Sequence, residues 1–192
     1  MLSDKVKELI AKSRIVSFTD WQDKYNSEVI AVFQQADDEG RYLNDKDIER
    51  VRKIVPQLDF ALERGKILRD DANSIVDRAR KEVLAAFPSI LEPGGGLYPP
   101  MRAEACWRDF WHFLRCITYG ISGNSTAYIS DRGLQYMEEL YQELQVPLNA
   151  MILGLERLKT FSLNKFDPAE RDDIASYFDR LIAEMKKFSP AS

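Results

Sequence analysis

An all-α chain is predicted by three observations. Apolar residues recur at three- and four-residue spacing, and the strict alternation of a half-buried strand is missing. Proline and glycine fall at the breaks, at Gly40, Pro56, Pro88, the 93–100 run, Gly123, Pro147 and Pro168. Capping residues stand where several stretches begin. With 192 residues, 45% of them hydrophobic and 30% charged, the chain suits one domain, or a domain with an arm.

Leu2, Val6, Leu9 and Ile10 form the first stripe, with charges opposite. A second runs through Trp21, Tyr25, Val29, Val32, Phe33 and Ala36. Thr19 with Gln22 reads as its capping box, and Gly40 suits its end. Asn44, with Asp47 three residues on, caps the next helix, and Pro56 ends or kinks it because it lacks an N–H. Ile75, Ala79, Val83, Leu84 and Phe87 predict a helix over about residues 71–87, stopped by Pro88. The run Pro93-Gly94-Gly95-Gly96-Leu97-Tyr98-Pro99-Pro100 is a sharp turn. It is not a phosphate loop, since no strand precedes it and no Lys-Ser/Thr follows.

A long aromatic helix is expected over about residues 101–121, then a polar loop at Gly123-Asn124-Ser125. Ser130 starts another helix, Pro147 interrupts, and residues 148–158 continue. Asp167-Pro168-Ala169-Glu170 opens the last helix with an N-cap, a proline at the first position and a capping-box acid. Its apolar face is Ile174, Tyr177, Phe178, Leu181, Ile182 and Met185.

Twenty-seven basic against 31 acidic residues give a net charge of −4, so no general pull toward nucleic acid exists. Two cysteines make no disulfide framework and suit a reducing compartment. No secretory pattern opens the chain, and no stretch approaches the ~20 apolar residues of a membrane span. A soluble intracellular protein is expected. The acidic clusters Asp37-Asp38-Glu39 and Asp70-Asp71 read as solvated faces or helix ends. Asp109-x-x-His112 has the spacing of a helical metal pair. A di-iron bundle needs two such motifs, and the chain has one histidine. His112 as a haem ligand remains an alternative.

Cys106 and Cys116 share the aromatic helix. Ten residues put them about 15 Å apart, beyond the ~7 Å that a disulfide spans. Cys116, among Leu114, Ile117 and Ile121, reads as a buried apolar residue. Cys106 lies just inside the helix start, where the macrodipole favours a thiolate. Arg108 is a nearby cation and Asp109 is one turn along. A thiol, a cation and a carboxylate at one helix entrance could bind a ligand covalently.

This helix resembles the bilin-attachment helix of the phycobiliprotein family, most of all its allophycocyanin α-type branch. Cys106-Trp107-Arg108-Asp109, then Leu114-Arg115 and Thr118-Tyr119, match C-x-R-D followed by L-R-x-x-T-Y. Ala36-Asp37-Asp38-Glu39-Gly40-Arg41-Tyr42-Leu43 and Pro93-Gly94-Gly95-Gly96-Leu97-Tyr98 agree in order and spacing. So do Gly133-Leu134, Glu139-Leu140-Tyr141, Leu144-Gln145-Val146-Pro147 and Tyr177-Phe178-Asp179-Arg180-Leu181-Ile182. The resemblance covers about residues 25–188. It departs at Gly96, where the family commonly has asparagine, at Trp111 and His112-Phe113, and at Ser122-Gly123-Asn124. A divergent paralogue fits that pattern.

The resemblance implies a globin-like helical domain, here 36–192, preceded by a two-helix interaction arm, 1–35. It implies phycocyanobilin, an open-chain tetrapyrrole, held by a thioether from Cys106 to ring A. Asp109 would accept the ring B and C pyrrole N–H groups, and Arg108 would pair with a propionate. Tyr98 and Tyr119 could line the pigment or simply pack. The implied role is red-light harvesting in the phycobilisome core, without enzymatic activity. The place is the stromal-side surface of the thylakoid membrane. Partners would be linker proteins and a β-type subunit, or a second copy, reached through the arm's Trp21–Phe33 stripe; folding of the arm onto its own core is the alternative. Competing roles are a scaffold paralogue with little pigment, and a globin-like haem or redox protein using His112 or Cys106.

Overall fold

The computed structural model describes residues 2–189. Among them, the first helix is α1 (Asp4–Lys12), capped by the Ser3 hydroxyl, which accepts the Val6 N–H at 3.2 Å. Residues 13–26 form an irregular link with a 3-10 turn at Thr19–Trp21. Thr19 therefore does not cap the second helix. Asn26 does: its Oδ1 accepts the Val29 N–H at 3.0 Å, and α2 spans Ser27–Asp38. Gly40 adopts φ +64°, which lets the Arg41 N–H reach back to the Ala36 carbonyl at 3.0 Å and stop the helix.

The capping box of Asn44 and Asp47 opens α3 (Asp45–Ile54), which ends before Pro56 as the proline requires. Next come α4 (Asp59–Asp70) and α5 (Ala72–Ala86). The 87–99 segment is a series of turns leading to α6 (Pro100–Ser122). The Ser130 hydroxyl caps α7 (Asp131–Glu143) by accepting the Gly133 N–H at 3.0 Å. Pro147 precedes α8 (Leu148–Leu163). The last expected start is modified: Pro168–Glu170 is a 3-10 turn, Asp167 makes no side-chain cap, and α9 runs Arg171–Met185. The only β pairing among the described residues is an isolated bridge between Val16 and Ile129.

The axis of the fold is α6, in which every residue from Phe113 to Ser122 is buried. It packs on α4, α5, α8 and α9. Two glycines set how closely its neighbours approach. A Cβ on Gly65 of α4 would fall 1.9 Å from the Ser122 hydroxyl oxygen, and one on Gly154 of α8 would fall 2.0 Å from the Phe110 ring. Backbone contact at those crossings brings Thr118 and Phe110 into the centre.

Two expectations about residues 1–35 are corrected. The stripe Trp21, Tyr25, Val29, Val32 and Phe33 is not left for a partner; each of these side chains is buried within its own chain. Trp21 packs edge-on against Phe18 and Phe33, and its indole N–H donates to the Ala127 carbonyl at 2.7 Å. The Tyr25 hydroxyl donates to the Gly123 carbonyl at 2.6 Å. The loop after α6 thus supplies acceptors and an apolar notch at no loss of translational freedom. The boundary expected between residues 35 and 36 falls inside α2. Ahead of α2, α1 docks on α7 through Val6 and Leu9, with Lys5 paired to Glu143 at 2.5 Å.

Candidate functional site

Cys106 is the seventh residue of α6, past the first turn whose unpaired N–H groups carry the helix's partial positive charge. The thiolate expected there is not favoured. Only 5% of Cys106 is exposed, and burial, followed by the negative charge of Asp109, pushes its thiol up to about 12. The structure presents a neutral thiol.

Asp109 lies three residues on, on the same face of α6. Burial pushes its carboxyl up to about 6, against the pull of the Arg108 guanidinium and a hydrogen bond from Tyr141. The Tyr141 hydroxyl, on α7, donates to Asp109 Oδ2 at 3.4 Å. The other oxygen has unused acceptor capacity. Arg108 is exposed and enters no ion pair among the described residues.

Tyr98 closes the turn before α6 and is 45% exposed. Tyr119 is not brought to Cys106. Thirteen residues along one helix separate them by about 20 Å. Its hydroxyl accepts from Arg115 at 2.8 Å and donates to the Arg41 carbonyl. That cluster also buries Asp37, which bonds Arg115 at 2.9 Å and Arg14 at 2.5 Å. Asp37 is therefore no solvated charge, contrary to expectation; two guanidinium groups offset its desolvation. His112 accepts the Arg115 Nε–H at 3.1 Å through Nδ1. Burial, then the Arg115 and Arg108 charges, lowers it to about 4. Among the described residues no three His, Cys, Asp or Glu side chains converge as a metal site.

Sequence reasoning assigned no role to Arg102 or Tyr141. Arg102, one turn before Cys106, donates to the carbonyls of Gly96 at 3.2 Å, Leu144 at 2.7 Å and Gln145 at 2.9 Å. It ties the turn before α6 to the α7–α8 connection. Those two segments line an open cleft of about 780 Å³. Cys106 does not itself line it. The spacing of four residues from Cys106 was the one available signal for Arg102; Tyr141 gave none, because its contact crosses 32 residues.

Residues 31–185 match the phycobilisome protein family model. The chain belongs to the phycobilisome protein family. It is 32% identical over 158 residues to the allophycocyanin alpha-B chain of a Synechococcus species, covering 82% of this chain and 97% of that one. It is 30% identical over 151 residues to the allophycocyanin alpha chain of Galdieria sulphuraria, covering 79% and 94%. The C-phycocyanin beta subunit of Mastigocladus laminosus is 30% identical over 162 residues, again covering 79% and 94%. Phycobiliproteins are light-harvesting pigment proteins, not enzymes. They carry covalently bound bilins and assemble with β-type subunits and linkers into complexes on the thylakoid surface. No helix among the described residues is long and apolar enough to cross a membrane.

The residues around Cys106 fit such a group. A bilin needs a thiol, an acceptor for its inner N–H groups and a cation for a propionate. Cys106, the half-used Asp109 carboxylate and the unpaired Arg108 offer these within four residues.

The pigment-free phycobilisome protein should show two opposed titrations. Asp109 has a raised pKa, so the folded state binds its proton more tightly. The stability this gives is present below about pH 4 and is lost as pH rises through about 6, on the order of 3 kcal/mol. His112 has a lowered pKa, so its share is present at neutral pH and is lost as pH falls from about 6.5 to 4. Asp109→Asn should unmask the histidine. Urea unfolding of that variant should show stability rising more steeply from pH 4.5 to 7 than in the parent chain. Parallel profiles would contradict the assignment.

Proposed function

We propose that this phycobilisome protein is an allophycocyanin-α-like subunit of the phycobilisome core, on the stromal side of the thylakoid. It carries phycocyanobilin on Cys106, absorbs red light and passes the excitation onward. The observation that carries this reading is the Cys106–Asp109 pair on one face of α6, with one oxygen of the half-buried Asp109 carboxylate free of any protein donor. When bound, the bilin supplies the conjugated system that absorbs visible light.

The protein's part is to hold and to tune. Cys106 would anchor ring A through a thioether. Asp109 is largely ionised above its pKa of about 6, and N–H donors would complete its hydrogen bonding and stabilise the charge. Arg108 would take a propionate in its planar fork, and the exposed Tyr98 would flank the entrance. Tyr119, held by Arg115 and the Arg41 carbonyl, serves the core instead. Pairing with a β-type subunit or a second copy, and contact with linkers, belong to the same proposal. The Trp21–Phe33 stripe is not a free surface for that pairing, since the chain covers it.

Co-expression with bilin synthesis tests this. A red absorption band and zinc-induced fluorescence on a denaturing gel are the expected result. A Soret band would point to haem. A colourless protein would favour a scaffold paralogue, a second reading that the enclosed Cys106 thiol supports. Asp109→Asn is expected to keep the pigment attached but weaken or shift the red band, because a neutral amide replaces the charge-assisted acceptor. An unchanged spectrum would remove Asp109 from the site.

A further inference from the structure

The chain's one histidine, His112, stands three residues after Asp109 and four after Arg108, spacings that make the three side chains neighbours on α6. His112 and Asp109 are half-buried, and Arg108 is exposed. The imidazole accepts the Arg115 Nε–H at 3.1 Å through Nδ1. Arginine has donors only, so Nδ1 must offer its lone pair and the neutral ring carries its proton on Nε2. The tautomer is thereby set from inside the protein. Arg115 is itself fixed, since its Nη1 donates to Asp37 at 2.9 Å and to the Tyr119 hydroxyl at 2.8 Å. Trp111 packs edge-on against the imidazole with ring centroids 5.0 Å apart, and is held in turn by Tyr42 at 4.8 Å.

Nε2 is thus turned away from Arg115, and it makes no hydrogen bond among the described residues. Burial, then the Arg115 and Arg108 charges, lowers the ring's pKa to about 4, so the single-proton form is the one present at neutral pH. The same two guanidinium groups make the surroundings of Nε2 electropositive. Asp109, the nearest carboxylate along the helix, takes its one bond among the described residues from Tyr141 instead. A lone N–H donor in a positive field, one turn from an unpaired cation, selects an anionic oxygen.

We propose, resting on the pigment reading above, that His112 donates its Nε2–H, together with Arg108, to a carboxylate of the bilin. A bilin of the phycocyanobilin type carries two propionates, and Arg108 is a single cation; His112 adds a second group that recognises carboxylate. The buried Asp37–Arg115 pair, otherwise remote from the pigment site, thereby orients a donor within it. The same tautomer leaves no lone pair on Nε2 for a metal, which sets this role against haem ligation.

Two measurements test it. The untagged, pigment-free chain is labelled with nitrogen-15 at histidine and measured by long-range proton–nitrogen NMR, where one histidine gives one pair of ring nitrogens. At pH 7, Nε2 is expected to be protonated and Nδ1 bare. A proton on Nδ1 overturns the proposal whatever the pigment does. Phycocyanobilin free acid and its dimethyl ester are then titrated into a Cys106→Ala chain, where binding is reversible. The free acid is expected to move the Nε2 signal, and the ester to leave it in place. His112→Phe should weaken the free acid about tenfold, as for a hydrogen bond to a charged group, and His112→Gln, which keeps an N–H donor, should stay within about twofold. An ester as sensitive to His112→Phe as the free acid overturns the carboxylate as the acceptor. Free acid that binds without moving the Nε2 signal, or that binds His112→Phe equally well, removes His112 and leaves the pigment reading standing. A chain that binds neither form overturns the pigment reading and this proposal with it. Should His112→Phe not fold, the Nε2 signal decides alone.

Discussion

Cys106→Ala is expected to abolish covalent pigment, leaving no zinc-fluorescent band after denaturation, while Cys116→Ala retains it. Thiol acidity does not separate the two, since burial pushes both up to about 12. Surroundings do. Cys116 lies about 15 Å further along α6, among the fully buried turns and beside Arg115, whose guanidinium is spent on Asp37, Tyr119 and His112. Nothing there is open to a large ligand. Cys106 has the Asp109 carboxylate one turn on and, one turn back, Arg102, which ties together the two segments that line the cleft. Loss of the band in Cys116→Ala with retention in Cys106→Ala would reverse the assignment.

Trp21→Ala should cost about 3–5 kcal/mol of folding stability, the range for emptying a large aromatic site in a packed interior. Trp21 is fully enclosed. Its ring fills the space that the missing Cβ of Gly123 leaves, and its N–H is the partner of the Ala127 carbonyl. The substitution removes the ring contacts and leaves that carbonyl without its donor. Urea unfolding followed by far-ultraviolet circular dichroism measures the loss. A change below about 1 kcal/mol would show the segment to be peripheral to the cooperative unit. Trp21→Phe should restore part of the packing but not the hydrogen bond, and should fall between the two.

Much of the helix order is legible along the chain because helix signals are local. Capping by Asn44 with Asp47, the stop at Gly40 and the break at Pro56 involve residues within five positions of one another. Helix α4 was missed for a related reason. Phe60 and Ile67 are exposed apolar residues set among the buried Ala61, Leu62 and Leu68, and they blur the stripe. The Thr19 signal misled because Asn26, nearer to the helix, has the carbonyl oxygen in reach of the Val29 N–H.

At the site, residue spacing was enough to put Cys106 and Asp109 on one face of a helix and to keep Cys116 from pairing with Cys106, since 3.6 residues per turn settles both. Packing in three dimensions sets the rest: burial raises the Cys106 thiol, Tyr141 reaches Asp109, Arg102 ties the turn before α6 to the α7–α8 connection, and Asp37 and Tyr119 join a separate buried cluster. Those outcomes depend on desolvation and on groups tens of residues away. Neither has a local signature. The same division holds for residues 21–33. Periodicity dictates that their apolar side must leave water, but the free energy of doing so is nearly indifferent to what covers it. The notch at Gly123 and the acceptors at Ala127 and Gly123 made that cover the chain's own body.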